Sequence, residues 1–175
     1  YYMKKRSFIV GVMVLASSFL PQAVMYADNV YSIYPVPQQQ VAVDGSTKIS
    51  KQVNIIAESG IDEVTRQRVL GVLEDHGLTG TFSDSPSADL ANIYLGINGS
   101  GGTADIEATA LGLSREVFSR QGKYDRHCVA LTDKNGWAQI LILGEHTDAT
   151  FFGLASLEQM LDTDPNALSC VIIYD

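Results

Sequence analysis

The chain has 175 residues, 46% of them hydrophobic and 18% charged, with a formal net charge of -8. That length suits one domain with about two-thirds of its surface buried on folding, and the composition excludes a disordered chain. The acidic balance argues against a nucleic-acid backbone as partner.

Met3, the basic Lys4-Lys5-Arg6, the apolar run Phe8–Leu20 and a small-residue exit at Ala27 read as an export signal. The run is short for a membrane span and Pro21-Gln22 interrupts it, so cleavage is favoured over anchoring. Residues 1–27 are expected to be a signal peptide that packs against nothing, and residues 28–175 the folded domain. The product is then secreted or held at the cell surface, with no membrane contact after cleavage. Met25 is large for the third position before a cut after Ala27, which leaves the cleavage site open.

Pro35 and Pro37 make Tyr31–Gln38 an extended lead-in or edge segment and exclude a central strand. Asp44-Gly45 between Gln40–Val43 and Thr47–Ser50 reads as a hairpin turn, and Val53–Ala57 as a buried strand. Ser59-Gly60-Ile61-Asp62 has capping-box form, and Ile61, Thr65, Val69, Val72 and Leu73 follow at helical spacing to a stop at Gly77. His76, in the last turn of that helix, is expected at the surface facing the helix dipole. Thr79–Ser83 and Asn92–Ile97 are further short strands, and the strand–helix–strand order favours a largely parallel sheet.

The loop Gly96–Gly102 follows a strand and precedes a possible helix, the context in which glycines cradle a phosphate. Its spacing meets neither nucleotide template, so a flexible surface loop is expected. Ala104–Gly112 and Ser114–Arg120 read as short helical turns or an irregular insertion. Tyr124–Thr132 and Trp137–Leu143 then flank the turn Asp133-Lys134-Asn135-Gly136 as a second hairpin, with Arg126-His127 as a sheet-edge pair. Cys128 and Cys170 could pair in an exported chain, but both lie in apolar strand-like stretches, where a free cysteine behaves as a small hydrophobe. There is no Cys-x-x-Cys and no His-Glu-x-x-His, so no metal site is read.

After the nearly unbroken apolar run Ala138–Leu143, Gly144 stops the strand and Asp148 is placed to cap a helix. Phe151, Phe152, Ala155, Leu157, Met160 and Leu161 recur at helical spacing, and Phe151 or Phe152, Leu157 and Met160 are expected in the core. Gly153 inside this helix costs about 1 kcal/mol against alanine, which points to close approach of another backbone. Asp162–Asn166 forms a turn and Leu168–Tyr174 the last strand. The stretch Gly144–Leu161 reads G-x-x-x-D-x-T-F-F/Y-G-L-x-S/T-L-x-Q-L/M-L. It resembles the end of the N-terminal α/β domain of bacterial glycoside hydrolase family 84, the hyaluronidase-like β-N-acetylglucosaminidases, and is similar to the N-terminal domain of family 20 hexosaminidases. Gly144, Asp148, Thr150, Phe151, Gly153, Leu157 and Gln159 match, with Ser156 where Thr is usual. The departures are Ala149, Phe152 and Ala155. Ile33–Gln38 is similar to the P-x-P-Q opening of these domains, so the likeness spans Tyr31 to Asp175.

The resemblance implies an α/β fold: a single domain with a mixed sheet and helices packed on it, of the β-N-acetylhexosaminidase N-terminal-domain type, zincin-like. It implies a non-catalytic accessory domain of an exported glycosidase acting on N-acetylglucosamine-containing glycans. Its partners would be a downstream catalytic (β/α)8 barrel of the same polypeptide and glycans. The paired aspartates of that chemistry lie on the barrel, and Asp62-Glu63 and Glu74-Asp75 read instead as solvated helix-end charge. No catalytic, cofactor-binding or metal-ligating residue is assigned, and the chain alone is expected to be inactive. A free-standing carbohydrate- or surface-binding module remains the alternative. A small independent enzyme would need a nucleophile–base pair that the sequence does not offer.

Overall fold

The computed structural model describes residues 30–122 and 125–175. The expected signal peptide at residues 1–27, and Tyr124 at the head of a predicted strand, lie outside the described residues. Seven strands form one sheet: β1 (Gln39–Thr47), β2 (Gln52–Ala57), β3 (Thr79–Phe82), β4 (Ala91–Ile97), β5 (His127–Lys134), β6 (Trp137–Gly144) and β7 (Leu168–Tyr174). Their order across the sheet is β1-β7-β5-β6-β4-β2-β3. β3, β2, β4 and β6 pair in parallel, whereas β5 is antiparallel to both β6 and β7, and β1 is antiparallel to β7. The sheet is therefore mixed, as the resemblance implies.

The period of two along each strand sends alternate side chains to opposite faces. Ile140 and Ile142 of β6, with Ile93 and Leu95 of β4, face a core covered by α1 (Glu63–Asp75) and α4 (Thr147–Leu161). Leu141 and Leu143, with Tyr94, face the other side, which α2 (Thr103–Ala110) covers with Ala104 and Ala108. The short α3 (Glu116–Ser119) contributes Val117, buried beside β5. Strand β6 is buried on both faces because it sits mid-sheet between β4 and β5, which is why its sequence is a continuous apolar run rather than an alternating one.

The Asp44-Gly45 pair does not turn a hairpin. It lies inside β1, where Ala42 opposes Val171 and Ser46 opposes Ser169, so four residue steps on β1 oppose two on β7. Gly45 takes φ 101 in this bulge. The turn chemistry was met by a bulge because β1 finds its partner in β7, more than 120 residues away, instead of in its neighbour. The Asn135-Gly136 signal does form the expected two-residue hairpin turn, with φ 57 and 81 between Lys134 and Trp137.

Helix α1 starts one turn later than the capping box suggests. Asp62 is its N-cap, with Oδ1 accepting the Thr65 N–H at 2.8 Å, and that bond holds the Asp62 carboxyl below its usual range. The helix stops at His76, with Gly77 at φ 70. Both cysteines are free and buried. Cys128 opposes Tyr174, four residues along β7 from Cys170, a separation of about 13 Å at strand spacing. A disulfide needs Cα atoms within about 7 Å, so these two cannot pair. Among the described residues, no helix is long and apolar enough to cross a membrane.

Candidate functional site

Gly144–Leu161 owes most of its spelling to packing. A Cβ on Gly144 would meet Thr150 Oγ1 at 2.6 Å, and Thr150 Oγ1 donates to the Gly96 carbonyl at 2.8 Å, tying α4 to the end of β4. A Cβ on Gly153 would meet Ile142 Cγ2 at 2.6 Å and His127 Cδ2 at 3.2 Å. The close approach expected at Gly153 is real, but it is to side chains of the sheet rather than to another backbone. Leu157 and Met160 are in the core as expected. The cap is His146, whose Nδ1 accepts the Ala149 N–H at 3.3 Å; Asp148 is exposed in the first turn, where a carboxylate complements the helix dipole.

The phenylalanines depart from expectation. The sheet-facing stripe runs Thr150, Gly153, Leu154, Leu157, Met160 and Leu161, which leaves Phe151 half-buried on its flank and Phe152 48% exposed. Their rings meet edge to face, centroids 5.8 Å apart. Phe152 lines a groove of about 320 Å³ between α4 and the lead-in segment Ile33–Gln38. That segment is pinned by two glutamines. Gln159 Nε2 donates to the Tyr34 carbonyl at 3.0 Å while its Oε1 accepts the Tyr34 N–H at 2.7 Å, and Gln40 makes the same reciprocal pair with Tyr31. Tyr31 is itself buried, its hydroxyl donating to the Ser169 carbonyl at 2.9 Å, and burial pushes its phenol up to about 12. The role of Gln159 in the motif is thus to clamp the proline-bearing lead-in, which leaves the Tyr34 ring 81% and Val36 69% exposed.

The groove's other wall is the end of the sheet where β5 begins and β7 finishes. His127 and Asp175 exchange backbone hydrogen bonds, both at 2.9 Å. His127 is buried on a central strand rather than at a sheet edge, its Nδ1 3.0 Å from the Asp125 carbonyl. Arg126 pairs with Glu145 at 3.2 Å and donates to the Phe118 carbonyl at 3.4 Å; its Nε is buried with no partner among the described residues. A shallower hollow adjoins the groove across Asp125 and Phe152, with Asp62, Val64, Asp148 and Phe151 in its lining.

The glycine loop is neither flexible in the expected sense nor open to phosphate. The Glu58 carboxylate, at the end of β2, accepts the Ile97 N–H at 3.1 Å, the Ser100 hydroxyl at 2.7 Å and the Asp105 N–H at 3.1 Å. Asp105 accepts the Gly99 and Gly101 N–H groups at 3.1 and 3.0 Å and pairs with Arg115 at 3.0 Å. Although burial pulls the other way, the two N–H bonds and Arg115 hold the Asp105 carboxyl below its usual range. Glycines at 96 and 102 are required because a Cβ at either would run into Glu58. The loop offers the anion cradle expected of a helix N-terminus, and the protein fills it with its own carboxylates.

At the opposite end of the strands, Asn54 donates to Asn92 Oδ1 at 2.8 Å and Asn92 to Gln139 Oε1 at 3.1 Å, a buried ladder that also holds the Ser85–Ser87 loop. Its polar groups satisfy one another. Trp137 is half-buried with Lys48 Nζ 4.5 Å from its ring centroid, so one face of the ring is covered. Among the described residues, no group of three His, Cys, Asp or Glu side chains converges as a metal site. Sequence reasoning missed the groove because it expected Phe151 or Phe152 in the core and read Tyr31–Gln38 only as an extended lead-in or edge segment. The pairing of a P-x-P segment with Gln159 was the available signal.

Residues 30–175 match the family described as glycosyl hydrolase family 20, domain 2. Among solved structures the fold is similar to CpGH84D, at 31% identity and TM-score 0.73, over 83% of this chain and 24% of that one. It is also similar to an inactive mutant of the family 20 exo β-N-acetylglucosaminidase from Vibrio harveyi, at 15% identity and TM-score 0.56, over 84% of this chain and 19% of that one. A β-N-acetylhexosaminidase from Bacteroides fragilis NCTC 9343 matches at 14% identity and TM-score 0.51, over 82% of this chain and 24% of that one. The chain therefore spans about a fifth to a quarter of the length of these proteins. No curated protein matches.

Proposed function

From the premise that the chain belongs to the glycosyl hydrolase family 20, domain 2 family, we propose that it is the non-catalytic N-terminal domain of an exported glycosidase acting on N-acetylglucosamine-containing glycans. In this reading a downstream catalytic (β/α)8 barrel carries out hydrolysis, and the present domain supports its folding or position. The observation that carries the reading is the likeness to CpGH84D across 83% of this chain at 31% identity, covering only 24% of that protein. The internal chemistry agrees with it. Substrate-assisted cleavage needs one acid to protonate the leaving oxygen and a second carboxylate to steer the acetamido group. Here Glu58 and Asp105 are engaged by backbone N–H groups, and Glu145 by Arg126.

Export is proposed from the Lys4-Lys5-Arg6 and Phe8–Leu20 pattern, and N-terminal sequencing of protein recovered outside the cytoplasm tests it. The function is tested by release of a chromophore from an aryl N-acetyl-β-glucosaminide. The purified 175-residue chain is expected to give none, and the same chain extended through a downstream barrel to turn over. Turnover by the short chain that survives repurification would overturn the accessory-domain reading. The second reading, a carbohydrate-binding module, is favoured by one observation: the exposed rings of Tyr34 and Phe152 beside the groove, which could stack on sugars. Titration of the chain with N-acetylglucosamine oligomers tests that reading.

A further inference from the structure

We propose that the groove between α4 and Ile33–Gln38 is the surface on which the polypeptide continuing from Asp175 docks, through a face that is apolar at its centre and basic at its rim. The proposal rests on the accessory-domain reading and adds where the contact is made.

Four observations converge on this surface. Tyr34 and Phe152 are large apolar side chains left in water around one concavity of about 320 Å³. On α4, Phe152 stands out from a helix whose leucines and Met160 are buried, so its exposure is a property of that position and not of the helix. Asp175 lines the same groove, its backbone fixed by the exchange of hydrogen bonds with His127, so a residue placed after Asp175 starts inside the groove. A tethered partner that begins there meets the surface at high effective concentration. Among the described residues the rim is mainly acidic: Asp125 and Asp175 lie in the groove and Asp62 and Asp148 in the adjoining hollow, against Arg126, which Glu145 neutralises, and Arg120, which donates to Gln38. Charge complementarity then selects a face bearing Lys or Arg around an apolar centre.

A sugar is held by free planar polar groups beside an aromatic ring. Here hydrogen bonds within the protein occupy the Gln159 amide and His127 Nδ1, so the free planar groups of the lining are the Asp125 and Asp175 carboxylates, whose charge favours a cationic protein face over a neutral sugar.

The test compares Phe152→Asp with Ile106→Asp in the polypeptide extended through the downstream domain. Ile106 is an exposed apolar residue on α2, across the sheet from the groove. In the 175-residue chain both variants are expected to melt as the parent does, which shows that the fold is intact. In the extended polypeptide, Phe152→Asp is expected to speed proteolysis just after Asp175 by roughly tenfold and to split one melting transition into two, with Ile106→Asp unchanged. Equal behaviour of the two variants would overturn the docking surface, and if the extended polypeptide still hydrolyses the aryl glycoside, the accessory reading stands without it. An extended polypeptide with no hydrolysis removes the accessory reading, and the proteolysis result still decides whether this groove is covered. Three further results overturn the proposal by naming another occupant: dimerisation of the short chain lost in Phe152→Asp, oligosaccharide binding lost in that variant, or a groove uncovered only by deletion of residues 1–29.

Discussion

On one face of the sheet α1 and α4 bring Val69, Leu73, Leu154 and Leu157 against Ile55, Ile93, Ile140 and Ile142; on the other, α2 meets Tyr94, Leu141 and Leu143 with only Ala104 and Ala108. The first face is closed by large aliphatic side chains, whose attraction is non-directional and indifferent to pH. The second is closed by a short, small-residue helix with Leu113 and Phe118 beside it, and the Glu58 and Asp105 carboxylates hold the helix's first turn and the loop before it. Its attachment is directional and ionic. The difference predicts that the two faces fail under different conditions, and that the α2 side opens first as a local unit when conditions turn acidic.

The largest expected effect lies on the aliphatic face. Leu157, 1% exposed between α4 and the sheet, should cost on the order of 2–5 kcal/mol when truncated in Leu157→Ala, read as a fall in the denaturant midpoint. A loss under 1 kcal/mol would mean that this face does not carry the core. The next effect lies on the ionic face. Glu58→Ala removes the acceptor for the Ile97 and Asp105 N–H groups and should cost about 1–3 kcal/mol. Its signature is local: faster hydrogen exchange at residues 97–105, with amides of β6 and α4 unaffected. A uniform acceleration over the whole chain would break the distinction between the faces.

Much of this contrast was legible in the sequence on one side only. The aliphatic face follows from period and composition: the Ala138–Leu143 run, the Leu157 and Met160 stripe and the Asn135-Gly136 turn are local signals, and each led to the element observed. The ionic face depends on Glu58, whose partners lie about 40 residues away, and nothing in its local sequence distinguishes it from a solvated glutamate. The glycine loop was expected to be a surface loop from its spacing alone, and its filling by carboxylates is a tertiary fact. The Asp44-Gly45 bulge was misread because its distant partner, β7, decides it, whereas Phe152 is exposed because the sheet-facing stripe of α4 runs through Thr150, Gly153, Leu154 and Leu157. The groove was readable only in part, through Gln159 and the P-x-P segment taken together.

Acidification should separate the faces without mutation. Asp105 is held below the usual carboxylate range, so its contribution is fully present above the unfolded value near 4 and is lost as pH falls through the folded value. Hydrogen exchange at residues 99–105, corrected for the intrinsic rate, should therefore rise on acidification below about pH 4 while that of β6 does not. In Asp105→Asn this pH dependence should disappear, leaving exchange raised at every pH. Persistence of the parent profile in the variant would assign the acid response to another group.

The smallest expected effect has the opposite sign and lies at the rim of the aliphatic face, where α1 and α4 end side by side. His76 Nδ1 lies 2.7 Å from the Val72 carbonyl and Nε2 3.0 Å from Asp162 Oδ1. Burial pulls the imidazole down, but the Val72 carbonyl and the Asp162 carboxylate outweigh it and raise the folded value above 6.5. A raised value places the stabilisation at low pH: it is complete below about pH 6.5 and is lost as pH climbs through the folded value. The imidazolium at the end of α1 also complements the helix dipole, in the same direction. Asp162 is 69% exposed, so water screens the pair and about 0.5 kcal/mol is the expected size. Asp162→Asn should therefore lower the melting temperature at pH 5.5 and leave it close to the parent's at pH 8.5. A difference that grows toward alkaline pH would reverse the sign of the contact, and the aliphatic face would then have no ionic tie at this rim that strengthens in acid.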